Sequence, residues 1–326
     1  MKTPSLWYVD RERVELREIE IPELGPNDAL VEVETCGVCT WDLFIFSGGF
    51  QREKPYPFYF GHEGVGHVAR VGKEVRSLRP GQRVALRESP EIGRSGTGHM
   101  ARLAVLPERM LIPLPESALP GESWLVEPVA CCVNAIDRAA VRVGERVALV
   151  GAGFMGSILL QGLLQTPHAE LAVFDVKAEH LAKAQAIAAG RPLNAIDPRS
   201  VPQDLGDCAG RFDVVIETAA AEPGFRLADK LVRRGGRLLC FSWHHHPFEI
   251  DLGRWHVHGI TVLNVSPAAH PHFDDCFLQA IAMIQAGKLD VGSLVTHVAS
   301  PRDAQPLFEK GLRKTDGYLK GAIRWA

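Results

Sequence analysis

The feature that most constrains the fold of this chain is a regular alternation of strand-like and helix-like segments that begins near Val141. The apolar run VALV is followed by a glycine turn, GAGFMG at 151–156, and then by an apolar stretch of helical length. Strand-like and helical segments continue to alternate as far as Ile260–Val265. Because strands that alternate with helices form βαβ units, the sequence predicts an α/β domain with a doubly wound parallel sheet.

The glycine turn has the sequence context of a dinucleotide-binding fingerprint. Gly151 permits a tight turn, Gly153 lets the backbone approach a pyrophosphate, and Gly156 lets the helix pack on the strand. Phe154 and Met155 begin the helix, whose N-terminal N–H groups attract phosphate. The pattern predicts a Rossmann domain that binds a dinucleotide.

An acidic residue at the end of the second strand predicts which dinucleotide is preferred. Asp175 follows LAVF, near the position at which a carboxylate accepts hydrogen bonds from the adenine ribose and repels a 2′-phosphate. NAD(H) is therefore expected to bind better than NADP(H). The alternative is that Asp175 caps the helix that begins near Lys177, and Lys177 is itself a candidate for coenzyme contact.

The remaining sequence indicates a β-rich domain that is split in two. The first 120 residues are dense in glycine and proline, and the tail after residue 266 holds one helical segment, Phe273–Ala286, followed by the strand-like runs LVTHV and YLKGAIRW. We therefore predict a catalytic domain over 1–125 and 267–326, with the coenzyme domain, 126–266, inserted. Early strand-like runs are Leu30–Glu34, Val65–Val71 and Gln82–Leu86.

Composition narrows the classes of function. The 326 residues carry a net charge of −3, which gives no electrostatic reason to expect nucleic acid or an anionic membrane as a partner. No apolar run is long enough to span a bilayer, and the N-terminus is charged where a signal peptide would be apolar. The sequence thus predicts a cytoplasmic protein, and its seven irregularly spaced cysteines do not predict a disulfide scaffold.

Three segments carry side chains of the types that commonly bind zinc in proteins. They are the cysteine pair in TCGVCTWD at 35–42, the His–Glu pair in GHEGVG at 61–66, and the glutamate in LVEP at 125–128. Thiolate, imidazole and carboxylate together are the ligands of a catalytic zinc site. Taken singly, Cys39 could be a core thiol, His62 a buried structural histidine and Glu127 a charge at a helix N-terminus.

Taken together, these segments resemble the zinc-containing medium-chain dehydrogenase/reductase family of alcohol, polyol and threonine dehydrogenases. The matching segments are GVC-x-x-D at 37–42, GHEGVGHVARVGKEV at 61–75, PGQRV at 80–84, EP at 127–128, VALVGAGFMG at 147–156 and DVVIET at 212–217. The resemblance implies a GroES-like catalytic domain with an inserted Rossmann domain, and an NAD-dependent zinc enzyme.

The resemblance also implies roles for individual residues. It identifies Cys39 as the cysteine ligand, in preference to Cys36, and His62 as the second ligand. The polyol and threonine branch has a glutamate at the position of Glu127. Glu63 follows the histidine ligand, and it could bind the metal directly or contact one of the residues that bind it. The choice between these two glutamates stays open.

The sequence departs from the family where protons are relayed. The family has Ser or Thr and then His where this chain has Trp41 and Phe44, so the usual proton path is in doubt and the substrate pocket is expected to be more aromatic. The cysteine-rich segment of a structural zinc is absent between Val84 and Pro113, which predicts one zinc per chain. Within this segment, Glu91–His99 is expected to be a flexible loop.

Two further features are open to interpretation. The run Trp243–His246 follows a predicted strand of the coenzyme domain and is either part of a substrate pocket, with a possible proton carrier, or a polar surface loop, which we favour. The resemblance implies that Lys320 contacts the coenzyme phosphates.

The sequence as a whole predicts hydride transfer between NAD(H) and a secondary alcohol, a polyol or the corresponding ketone. An NAD(P)H-dependent reductase of imines or enones, and a coenzyme-binding relative without catalysis, are the alternatives. The expected partner is a small-molecule substrate, and the expected assembly is a homodimer or homotetramer formed through strands near Ile260–Val265.

Overall fold

The described part of the computed structural model comprises residues 1–49, 55–87, 98–267, 270 and 272–325. It divides into unit 1, Met1–Pro128 with Ile281–Ala326, and unit 2, Val129–Ala280. The domain boundaries predicted from the sequence stay a prediction. Of the predicted flexible loop Glu91–His99, positions 91–97 lie outside the described residues. No helix among the described residues is long and apolar enough to cross a bilayer.

Strands predominate in unit 1, whereas strands and helices alternate along unit 2. The strands are β1 (Lys2–Asp10), β2 (Arg13–Glu20), β3 (Asp28–Val38), β4 (Phe58–Tyr59), β5 (Glu63–Val71), β6 (Arg83–Leu86), β7 (Leu103–Pro107), β8 (Leu111–Pro113), β9 (Arg146–Val150), β10 (Glu170–Phe174), β11 (Asn194–Ile196), β12 (Phe212–Glu217), β13 (Val232–Cys240), β14 (Thr261–Asn264), β15 (His297–Ala299) and β16 (Gly321–Arg324). The helices are α1 (Thr40–Phe46), α2 (Val126–Ala139), α3 (Phe154–Leu163), α4 (Ala178–Ala188), α5 (Glu222–Leu231), α6 (Leu252–His258), α7 (Phe273–Gln285) and α8 (Ala304–Arg313).

Unit 1 is organised around β3. This strand pairs antiparallel with β5, β7 and β16 in a sheet of order β15-β16-β3-β5-β6-β8, while β2, β1 and β4 form a smaller sheet. The early strand-like runs lie within or overlap β3, β5 and β6, so these predictions are confirmed. Apolar residues along β3 are buried, with Val31 and Val33 at most 1% exposed. A strand with partners on both sides and a buried side-chain face is fixed in register.

The C-terminal segment completes the core of unit 1. Phe308 on α8 is fully buried, and its ring lies 5.4 Å from the ring of Phe46 and 5.8 Å from that of Tyr8. Strand β16 pairs with β3. The first and last parts of the chain therefore share one core, as the return of β-like sequence after residue 266 suggested.

Unit 2 is a six-stranded, entirely parallel sheet. Its order is β11-β10-β9-β12-β13-β14, which is the 3-2-1-4-5-6 order of the Rossmann fold. The predicted doubly wound sheet is confirmed. The strand order reverses between β9 and β12, and the carboxyl ends of strands at such a switch point are where dinucleotides bind.

Two segments show how tertiary pairing sets the ends of elements. Helix α5 ends at Leu231, because Val232 is buried and pairs with Phe212 at the start of β13. The glycine at position 235 adopts a φ of +66°, which a helix does not allow. The strand-like run LVTHV contributes only its last two residues to β15, which begins at His297.

Candidate metal centre and coenzyme site

The register of unit 1 gathers three candidate residues at one end of β3. Cys39 directly follows β3, and Glu63 begins β5 opposite Gly37. Strand β16 begins opposite Val38, so Lys320 directly precedes it. Because β5 and β16 flank β3 and run antiparallel to it, their first residues lie beside the last residues of β3.

Cys39, His62 and Glu63 form a group with the donor atoms of a zinc site. Their ligand atoms lie within 4.8 Å of one another, and no other such group of three or more occurs among the described residues. His62 is 5% exposed, and its buried Nδ1 atom has no hydrogen-bond partner. A thiol, an imidazole with an unsatisfied nitrogen and a carboxylate fit a zinc ion well.

Glu63 is at the same time half of a buried ion pair. The Lys320 ammonium lies 2.7 Å from Glu63 Oε1 and 2.5 Å from Oε2, and both residues are at most 3% exposed. A Cβ atom at Gly37 would overlap the Glu63 carboxylate, so glycine is needed there. Burial alone would lower the pKa of Lys320, but Glu63 raises it above its usual value. Lys320 thus stays charged near pH 7.

Lys320 has a different setting from the one expected for a coenzyme ligand. Its ammonium group is buried in unit 1 and directed at Glu63. The structure brings it to the metal centre rather than to an open surface where a phosphate could reach it. The predicted coenzyme contact of Lys320 stays a prediction without structural support.

Glu127 lies near this group but outside it. Its half-buried carboxylate is in the first turn of α2. Burial alone would lower the pKa of His62, but Cys39 raises it well above its usual value, and the charges of Asp42 and Glu127 act in the same direction. Glu127 is therefore close enough to influence His62, and it remains a candidate ligand beside Glu63.

Asp42 positions the backbone of Cys39, a role that the sequence did not reveal. It is fully buried, its Oδ2 accepts a hydrogen bond of 2.8 Å from the Cys39 N–H, and its Oδ1 accepts one of 3.0 Å from the Tyr8 hydroxyl. Burial raises the pKa of both Asp42 and Cys39. One sequence signal could have indicated this role: Asp42 lies three residues after Cys39, and an acidic side chain at this position in the first turn of a helix can accept a hydrogen bond from the N–H of the capping residue.

His99 is a second residue whose role the sequence did not reveal. It is fully buried, and its Nδ1 accepts a hydrogen bond of 3.2 Å from the Gly64 N–H. Burial lowers the pKa of His99 to about 3, so the ring is neutral near pH 7. The neutral ring supports the start of β5, where Glu63 follows His62.

Trp41 and Phe44 form an aromatic pair on α1, next to Cys39. Their ring centroids are 5.3 Å apart with an interplanar angle of 22°, and both are partly buried. A Cβ atom at Gly49 would overlap the Phe44 ring, so this ring lies close to the chain after the helix. Neither side chain can accept a proton. Their contribution to a substrate pocket stays a prediction.

The glycine turn of unit 2 is shaped to receive a pyrophosphate. Gly151 has a φ of +100°, and a Cβ atom at Gly156 would overlap the Gly151 carbonyl oxygen. A Cβ atom at Gly153 would meet nothing within 4 Å, so the space above the turn is open. Helix α3 begins at Phe154, followed by Met155, without a side-chain cap. Its first N–H groups can therefore bind an anion.

Asp175 ends β10 with a carboxylate that is already hydrogen-bonded. Oδ2 accepts from the Ala152 N–H at 2.7 Å and from His180 Nδ1 at 3.0 Å, and Oδ1 accepts from the Lys177 N–H at 2.8 Å. Burial alone would raise the pKa of Asp175, but these hydrogen bonds hold it below its usual value. The carboxylate is ionised beside the glycine turn, as the ribose interpretation requires. Lys177 itself is partly exposed, with its ammonium 3.9 Å from Glu179.

Comparisons with known proteins agree with this arrangement. The sequence profile of the alcohol dehydrogenase GroES-like domain matches residues 25–116. An uncharacterized zinc-type alcohol dehydrogenase-like protein of Escherichia coli is 28% identical over 94% of both chains, and rat sorbitol dehydrogenase is 27% identical over 92% of this chain and 90% of its own. An E. coli oxidoreductase of unknown specificity has a similar structure, with a TM-score of 0.87 and 25% identity over the full length of both chains.

The buried ion pair of unit 1 leads to a stability prediction. Glu63→Gln and Lys320→Met each leave one buried charge without its partner and should each lower the free energy of unfolding by about 3–5 kcal/mol. The double variant removes both charges and should recover most of that loss. Urea unfolding of the zinc-stripped protein measures all three. Lys310→Met, which breaks the exposed pair with Asp316, is the control and should cost less than about 1 kcal/mol. Additive losses in the double variant would contradict the pairing.

Proposed function

We propose that this chain, which is similar to the zinc-containing medium-chain dehydrogenases/reductases, transfers a hydride between NAD(H) and a secondary alcohol, a polyol or the corresponding ketone. The observation that carries the proposal is the group of Cys39, His62 and Glu63 in unit 1. Unit 2 supplies the glycine turn and Asp175 for the coenzyme. Each set of residues is complete within its own unit.

In the proposed metal site, Cys39, His62 and either Glu63 or Glu127 hold one zinc ion. When bound, zinc supplies a Lewis acid that polarises the substrate oxygen. Asp42 fixes the backbone of Cys39 through its hydrogen bond, so the sulfur is presented from a rigid position. Lys320 compensates the charge of Glu63, which keeps the centre from accumulating unpaired negative charge.

The aromatic pair has two proposed consequences for the chemistry. Trp41 and Phe44 border Cys39 on α1 and form an apolar surface that excludes water. Because neither can carry a proton, the proton of an alcohol substrate must leave by another route than in relatives with Ser or Thr and His at these positions. A substrate whose oxidation or reduction needs no such relay would suit this site equally well.

The same pair favours a second candidate function, an NAD(P)H-dependent reduction of imines or enones. The proposed zinc ligands Cys39 and His62 favour the alcohol and ketone chemistry, because a Lewis acid activates a carbonyl or hydroxyl oxygen. They also argue against the alternative that the protein binds coenzyme without catalysing a reaction. Substrate profiles recorded in both directions separate the three.

In the proposed coenzyme site, the N-terminus of α3 binds the pyrophosphate above Gly153, and Asp175 accepts hydrogen bonds from the adenine ribose. A 2′-phosphate would meet the carboxylate of Asp175, so we propose that NAD(H) is preferred. His180 donates to this carboxylate from α4 and keeps it in place.

The proposed assembly is a homodimer or homotetramer that uses the edge of the parallel sheet. Strand β14 is at that edge, and α6 before it exposes Leu252 and Val257, at 64% and 65%. An edge strand, and exposed apolar residues on the helix that precedes it, are both usual features of a subunit contact.

The metal site is tested by zinc content. Wild-type protein should contain about one zinc per chain, and Cys39→Ser should lose it because a thiolate ligand is removed. NADH binding should persist in Cys39→Ser, since the coenzyme residues lie in unit 2. Cys208→Ser, a partly exposed cysteine of unit 2, is the matched control and should keep its zinc. Full zinc content in Cys39→Ser, measured by elemental analysis, would rule out this site.

The coenzyme preference is tested at Asp175. Asp175→Asn keeps the shape of the side chain but removes the charge that repels a 2′-phosphate, so the ratio of NADH to NADPH affinity should fall by roughly tenfold or more. Fluorescence titration with both coenzymes measures the ratio. Glu179→Gln removes the same charge from an exposed position on α4 and should leave the ratio unchanged. Tighter binding of NADPH by the wild type would show that the preference is reversed.

A further inference from the structure

A buried carboxylate lies at the carboxyl end of β12, outside the residues discussed so far. Glu217 is the last residue of that strand and is fully buried. Its Oε1 accepts hydrogen bonds from the Ala219 N–H at 2.7 Å and the Ala220 N–H at 2.9 Å, and its Oε2 lies 3.1 Å from His244 Nε2. A carboxylate without solvent needs such partners to stay ionised.

The contact with Glu217 fixes the chemistry of the His244 ring. A carboxylate accepts but does not donate, so the proton between the two groups resides on Nε2 of His244. Nδ1 is then the second polar atom of the ring, able to accept a hydrogen bond when the ring is neutral and to donate one when it is protonated. An imidazole that is oriented in this way can form a hydrogen bond in a defined direction.

Aromatic neighbours hold the ring in place as well. The centroid of the Phe225 ring lies 5.7 Å from that of His244, and the Phe248 ring lies 5.1 Å away, both in edge-to-face arrangements. The His244 side chain is 16% exposed, so part of it remains accessible. His244 is therefore partly buried between its neighbours, while Trp243 and His246 of the same run are exposed.

The location of this pair relative to the coenzyme fingerprint is defined within unit 2. Thr218 follows Glu217, and its hydroxyl oxygen lies 3.0 Å from the Val150 carbonyl oxygen and 2.8 Å from that of Gly151. Its single proton can be donated to either carbonyl or shared between them, which joins the end of β12 to the glycine turn. The Ala220 N–H also contacts the Ser242 hydroxyl at 3.0 Å, which joins the end of β12 to the loop that follows β13. The pair thus belongs to the same sheet edge as the glycine turn.

The strand order indicates which half of a dinucleotide lies there. The switch point falls between β9 and β12, and Asp175, the ribose candidate of the adenine half, is on the β10 side. A dinucleotide that crosses the switch point places its other half over the ends of β12 and β13. Glu217 ends β12, and His244 follows β13 by a few residues.

We propose that His244, positioned by Glu217, binds the nicotinamide riboside half of the coenzyme. The inference rests on the proposed function, since it requires that the protein binds NAD(H). The ribose hydroxyls and the carboxamide of that half both donate and accept hydrogen bonds, which matches an imidazole with one nitrogen committed to a carboxylate. His244 contacts the coenzyme, while Glu217 acts through His244.

The experiment compares two ligands that share the adenine half. NADH and ADP are titrated calorimetrically against wild type, His244→Asn and His246→Asn. His244→Asn should weaken NADH binding roughly 3- to 10-fold, the loss expected for one hydrogen bond, while ADP affinity stays within about twofold of wild type. His246, an exposed residue of the same loop, is the matched control, and its substitution should change neither affinity. Unchanged ADP affinity also shows that the sheet edge is folded.

Glu217→Gln and the double variant test the positioning role. If Glu217 acts through His244, the loss of NADH affinity in Glu217→Gln should not add to that of His244→Asn. Equal losses for NADH and ADP, additive losses in the double variant, or wild-type NADH affinity in His244→Asn would each overturn the inference. A wild-type protein that binds ADP but no NADH would overturn the proposed coenzyme as well, which distinguishes the two failures.

Discussion

The structure of unit 1 depends on compensating a buried negative charge. The Glu63 carboxylate has almost no contact with solvent, and an isolated charge in such a place would cost several kcal/mol. Lys320 supplies the opposite charge from a point 257 residues later in the chain. That contact requires β16 to pair with β3 and Gly37 to leave room for the carboxylate. The same register places Cys39 and His62 beside the pair, so the position of the proposed metal ligands and the return of the C-terminal segment have one structural cause.

Unit 2 applies the same principle at the coenzyme edge of its sheet. Asp175 at the end of β10 and Glu217 at the end of β12 each receive two backbone N–H groups and one histidine, His180 and His244 respectively. The two acids lie on opposite sides of the switch point. His180 holds Asp175 where the adenine half of the dinucleotide is expected. Glu217 holds His244 where the nicotinamide half is expected. The sheet edge is therefore prepared for a ligand by hydrogen bonds made within the protein.

Local patterns in the sequence were sufficient for the fold and for part of the site. Alternating segments predicted the parallel sheet, and the spacing of Gly151, Gly153 and Gly156 predicted the turn, because both signals arise between near neighbours in the chain. The proposal that Cys39 and His62 are metal ligands needed the family resemblance as well. The role of Lys320 was not predictable, since its partner is distant in sequence and depends on strand register. The Glu217–His244 contact had the same limitation: DVVIET and WHHH give no sign that their side chains meet.

The proposed binding of a metal ion by the Cys39 thiolate in unit 1 is tested most directly by the absorption spectrum of the cobalt-substituted protein. Co²⁺ is introduced in place of zinc, and the near-ultraviolet and visible absorption of wild type and Cys39→Ser are compared. We predict a thiolate-to-cobalt charge-transfer band in the wild type that is absent from the variant, because sulfur is a soft ligand that interacts strongly with such ions. A wild-type spectrum without this band, or one that Cys39→Ser leaves unchanged, would contradict the account.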